Sequence, residues 1–63
     1  MSCGKAIQQL RKKIGFTQTE LGENLNVTSQ AVSKWENDLS QPDFETIRKM
    51  TGLFGITIDE FAE

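Results

Sequence analysis

Apolar residues recur along this chain at helical spacing, and no stretch reads as a strand. Cys3, Ile7, Leu10 and Ile14 stand at i, i+4, i+7 and i+11. That spacing puts them on one face of a helix from about Cys3 to Ile14. Gly15 follows as a stop, because glycine accepts the left-handed conformation at a helix end. Thr17-Gln18-Thr19-Glu20 reads as a capping box, in which threonine and glutamate satisfy each other's orphan backbone donors. It opens a second helix with Leu21 and Leu25 as its apolar face. Gly22 lies inside that helix, where glycine costs ~1 kcal/mol against alanine. A close helix–helix contact would account for it. Asn26 then interrupts the pattern with a residue that tolerates positive φ.

Thr28 caps a third helix reaching about Asn37, with Val32 and Trp35 inward and Ala31 beside them. Asp38-Leu39-Ser40-Gln41-Pro42 is a loop, since Pro42 cannot lie inside a helix. Asp43 caps a fourth helix whose apolar residues are Phe44, Ile47, Met50 and Phe54, and Gly55 ends it. Thr57-Ile58-Asp59-Glu60 is a second capping box and opens a short fifth helix with Ile58 and Phe61 inward. The pattern predicts an all-α fold, a compact five-helix bundle forming one domain over residues 1–63. Its centre is a helix-turn-helix from Gln18 to Asn37.

Length limits what this bundle can do. A domain of 63 residues buries only roughly 60% of its unfolded surface, which leaves little room for a deep cleft. No small-molecule ligand site is expected. No apolar run approaches the ~18 residues of a membrane span, and no signal-peptide pattern occurs. Cys3 is the only cysteine, so an internal disulfide is excluded. These features point to a bacterial cytoplasm. The chain has no histidine and no tyrosine, and one cysteine cannot build a zinc site. No phosphate-cradling glycine loop is present. Neither an enzyme nor a cofactor is expected. The chain ends soon after the fifth helix, as a domain cut from a longer protein would.

Charge changes the picture once its distribution is considered. The net charge of −2 argues mildly against a nucleic-acid partner. Residues 1–34, however, carry Lys5, Arg11, Lys12, Lys13 and Lys34 against Glu20 and Glu23, a net of +3. Residues 35–63 carry Arg48 and Lys49 against seven acids, a net of −5. Within the third helix, Ser29, Gln30, Ser33, Lys34 and Asn37 fall on one stripe opposite Val32 and Trp35. All five form hydrogen bonds and none is acidic. Such a helix can enter the major groove of B-DNA, whose width admits one helix.

Gln18-Thr19-Glu20-Leu21-Gly22, Asn26-Val27-Thr28 and Val32-Ser33-Lys34-Trp35-Glu36-Asn37 together resemble the helix-turn-helix of the Cro/C1-type (XRE) family, with its phage-repressor-like, lambda-repressor-like fold. The resemblance covers nearly the whole chain, from the basic first helix to the fourth helix after Pro42. Gly22 stands where the family often has alanine, and Asn26 where it often has glycine. Asp38 stands where glycine or a basic residue is common. The resemblance implies that Ser29, Gln30, Ser33 and Lys34 face base edges. Gln30 would pair with adenine N6 and N7, and Lys34 with guanine O6 and N7. It implies phosphate contacts for Gln18, Thr28 and Asn37, and a structural ion pair between Arg11 and Glu36.

Simpler roles stand beside these. The polar stripe taken alone is also what a solvated helix face looks like. Trp35 reads as core rather than a base-stacking residue, because it shares a face with Val32. Lys12 and Lys13 form a solvated basic face or weak phosphate contacts. Cys3 reads as half-buried rather than reactive. Phe54, Ile56, Ile58 and Phe61 complete the core or line a dimer contact. The expected function is sequence-specific binding of double-stranded DNA by a transcription regulator, a repressor. As a homodimer it would read half-sites ~34 Å apart. The alternatives are a protein-interaction module that keeps the fold, suggested by the acidic second half and Asp38, and an antitoxin-like partner.

Overall fold

The computed structural model describes residues 3–62 and contains five α-helices, with no strand among the described residues. They are α1 (Cys3–Ile14), α2 (Gln18–Leu25), α3 (Ser29–Glu36), α4 (Phe44–Phe54) and α5 (Ile58–Ala62).

Local chemistry sets nearly every boundary. Helix α1 stops at Gly15, whose φ is 83°. There the Gly15 and Phe16 N–H groups return to the Lys12 and Arg11 carbonyls at 3.1 and 3.0 Å. Thr17 Oγ1 accepts from the Glu20 N–H at 3.0 Å, and the Glu20 carboxylate accepts from the Thr17 N–H at 2.8 Å. Asn26 ends α2 in the left-handed conformation, φ 62°. Thr28 Oγ1 accepts from the Ala31 N–H and starts α3. Asp43 caps α4 through the Thr46 N–H at 2.8 Å. Hydrogen bonding to Thr46, with a smaller pull from Lys49, holds the Asp43 carboxyl below its ordinary value. Thr57 and Glu60 repeat the reciprocal box at α5.

The centre is built from one fully buried side chain per long helix: Ile7, Leu21, Val32 and Met50. Ala6, Leu25, Trp35 and Phe61 close around them. Helix α2 packs most extensively on α3, and α1 lies across α3. Three residues expected inside are not. Phe44 is 64% exposed, and Ile14 and Ile58 are each 39% exposed. Ile14, Phe44 and Ile58 are each the end residue of a helix, and Phe44 and Ile58 line a shallow apolar hollow with Cys3, Ile47 and Phe61. On α4 the buried face belongs to Met50 and Thr51, and the Thr51 hydroxyl is satisfied by the Arg48 carbonyl at 2.8 Å.

Gly22 makes the close approach anticipated for it, but to turn backbone and not to a neighbouring helix's side chains. A Cβ there would lie 2.7 Å from the Val27 carbonyl oxygen and 3.2 Å from the Thr28 carbonyl carbon. Alanine would gain ~1 kcal/mol of helix propensity against ~1–3 kcal/mol of overpacking. Gly22→Ala is therefore expected to lower stability by ~1 kcal/mol, and Gly22→Val by more. Urea denaturation followed by circular dichroism checks this, and an alanine variant more stable than the parent would refute it.

Candidate nucleic-acid interface

Helices α2 and α3 are joined by Asn26, Val27 and Thr28. The left-handed Asn26 reverses the chain within one residue, and the Val27 N–H closes back on the Gly22 carbonyl at 2.8 Å. This compact turn fixes where α3 begins. Val32 and Trp35 then anchor α3 in the core. With that face buried, the opposite stripe turns outward: Gln30, Lys34 and Asn37 are exposed, while Ser29 and Ser33 are half-buried.

The side chains of this stripe are partly ordered by one another. Ser29 Oγ lies 3.4 Å from the Gln30 side-chain carbonyl oxygen. Asn37 Nδ2 donates to the Ser33 carbonyl at 2.8 Å, which folds its amide along the helix. Thr28 uses its hydroxyl oxygen as the α3 cap and keeps its O–H as a donor. The first turn of α3 contains no acidic residue, whereas Glu20 lies in the first turn of α2 and Glu45 in that of α4. The partial positive charge at the start of α3 is thus not offset by an acid in its own first turn.

Arg11 and Glu36 form a buried ion pair, their side chains 10% and 2% exposed. Arg11 Nε donates to Glu36 Oε2 at 2.6 Å and Nη2 to Oε1 at 3.1 Å, a forked geometry. Arg11 Nη1 also donates to the Phe16 carbonyl at 2.8 Å. The acid at the end of α3 is in this way neutralised from within the fold. Gln18 is half-buried, and its Nε2 donates to Glu36 Oε1 at 3.1 Å. This contact spans 18 positions, and no local pattern in the sequence points to it.

Two further features were not visible in the pattern of residues. Gly4 is buried, and a Cβ on it would run into the Trp35 carbonyl oxygen and come within 2.8 Å of Asp38 Oδ1. The one available signal was a glycine in the first turn of an otherwise regular amphipathic helix. Asp38 adopts φ 59° and returns its N–H to the Trp35 carbonyl at 3.1 Å. Its carboxylate consequently lies beside the start of α1. There, partial burial first and the Asp38 charge second push the Cys3 thiol up.

Among the described residues, no group of three or more His, Cys, Asp or Glu gathers into a possible metal site. No helix there is long and apolar enough to cross a membrane.

A family model described as helix-turn-helix matches residues 7–61. The chain is similar to the HTH-type transcriptional regulator ImmR of Bacillus subtilis (strain 168), at 37% identity over 59 residues, covering 94% of this chain and 46% of ImmR. It is also similar to the HTH-type transcriptional activator BcrR of Enterococcus faecalis, at 38% identity over 60 residues, covering 95% of this chain and 29% of BcrR. The chain thus spans less than half the length of both relatives. Among solved structures, it resembles the P22 c2 repressor in complex with a synthetic operator, with a TM-score of 0.88 and 26% identity, covering 97% of this chain and 92% of that one.

Proposed function

Because the chain belongs to the Cro/C1-type (XRE) helix-turn-helix family, we propose that it is a sequence-specific double-stranded DNA-binding transcription regulator, acting as a repressor. In this reading residues 1–63 form one DNA-binding domain that works in the cytoplasm and catalyses no reaction. The observation that carries the proposal is the acid-free stripe Ser29, Gln30, Ser33, Lys34 and Asn37, held outward by the buried Val32 and Trp35. The P22 c2 repressor, solved with its operator, supports it.

Helix α3 would lie in the major groove, with Ser29, Gln30, Ser33 and Lys34 at base edges. Gln18, Thr28 and Asn37 would contact phosphates, Thr28 through its remaining hydroxyl proton. Seven cations in 63 residues give one copy modest affinity. Useful specificity therefore calls for a homodimer on two half-sites ~34 Å apart, or 10–10.5 bp centre to centre.

Selection from random duplexes followed by sequencing tests this. An enriched inverted repeat at that spacing is expected, and no enrichment at low salt would sink sequence-specific readout. Point variants then separate the roles. Gln30→Ala should cost ~1–3 kcal/mol at one base position and relax the preference there. Gln18→Ala should weaken binding to all sequences alike. Identical effects of the two substitutions on the selected motif would refute the assignment.

A further inference from the structure

We infer that Glu36 is a positioning residue for DNA binding: its carboxylate holds one proton of the Gln18 side-chain amide and so presents the other to a phosphate. The inference rests on Gln18 as a phosphate ligand, and it concerns how that ligand is prepared.

Glu36 Oε1 accepts from both Arg11 Nη2 and Gln18 Nε2, each at 3.1 Å, while Oε2 takes Arg11 Nε at 2.6 Å. The three residues come from three helices: Arg11 from α1, the first residue of α2, and the last residue of α3. Arg11 Nη1 also holds the Phe16 carbonyl, two positions before Gln18. One ion pair therefore fixes both the backbone entering α2 and the side chain at its first position. A glutamine amide nitrogen carries two protons, and only one is used here. A carboxylate is a stronger acceptor than a neutral group, so the amide has a defined orientation before any ligand arrives. Glutamine is among the side chains with the most rotamer freedom to lose. That loss is already taken in the folded protein and is not repeated on binding. Arg11 meanwhile cancels the Glu36 charge, so the carboxylate can sit behind a phosphate-facing amide without repelling the phosphate.

Nitrogen-15 relaxation of the side-chain amides in the unbound 63-residue chain provides the first test. The Gln18 amide should be rigid, with two well-separated proton shifts, and that of the exposed Gln30 mobile. On adding the duplex obtained by selection, the second Gln18 proton should shift. A Gln18 amide as mobile as that of Gln30 would overturn the inference, and this measurement needs no variant. The second test is an affinity cycle of Gln18→Ala, Glu36→Gln and the double variant, at a temperature where circular dichroism shows each folded. Glu36→Gln should weaken binding roughly two- to tenfold, and Gln18→Ala should then add less than it does in the parent. Strictly additive losses would overturn positioning alone. Unchanged affinity in Gln18→Ala would overturn the phosphate role and the positioning together, while sequence-specific binding would still be judged by the selection.

Discussion

Replacing Arg11 by alanine is expected to lower the unfolding free energy by ~3–5 kcal/mol, because it strands the Glu36 carboxylate without its counter-charge. That carboxylate is 2% exposed, and among the described residues its oxygens accept from Arg11 and Gln18. One neutral amide cannot replace a forked guanidinium. A domain of 63 residues has a total stability of roughly 3–9 kcal/mol, so the variant should lose about half or more of its stability and melt well below the parent by circular dichroism. Replacing both partners separates the causes. Arg11→Met combined with Glu36→Leu should regain most of the loss, because no charge is then left buried. If the double variant is as unstable as Arg11→Ala, the contact of Arg11 with the Phe16 carbonyl matters more than the charge balance.

Trp35→Ala should cost a comparable ~3–5 kcal/mol, the usual penalty for emptying a large aromatic site in a core. Trp35 packs with Val32, Leu21 and Ile7 in one cluster, and its carbonyl is where the Asp38 N–H turns back. Thermal unfolding measures the loss. The milder Trp35→Phe keeps most of the volume, and it distinguishes core from ligand contact. It should lower the melting temperature yet leave affinity for the selected duplex unchanged. Affinity that falls tenfold in a fully folded Trp35→Phe chain would mean that the indole meets DNA.

How much could be read beforehand depended on the range of the interaction. The caps at Thr17, Thr28, Asp43 and Thr57 and the left-handed Asn26 involve partners within four residues, and the residue order displays them directly. The outward stripe of α3 was legible for the same reason, since helical period alone fixes it. The Gln18–Glu36 contact depends on how α2 packs on α3, and the tight seat of Gly4 on how α1 crosses α3. Nothing local encodes either arrangement. Phe44 failed in the opposite sense: its spacing matches Ile47 and Met50, but as the first residue of α4 it lies at the rim of an apolar hollow and is left at 64% exposure. Gly22 fell between the two, because its need for a close neighbour was legible while the identity of that neighbour was not.

The distribution of acids among the helix starts has a consequence for the first encounter with a polyanion. Every helix start attracts negative charge through its free N–H groups. Here α2, α4 and α5 carry acids in their first turns, whereas α1 and α3 carry none, and Asp38 sets its carboxylate beside the start of α1. A polyanion drifting past the molecule therefore meets a carboxylate beside four helix starts and none in the first turn of α3. In the proposed reading, this charge pattern would bias encounters with DNA toward the orientation that brings Ser29 and Gln30 to the groove. An overall acidic chain gains directional selectivity from this, where a uniformly basic one would stick in any pose.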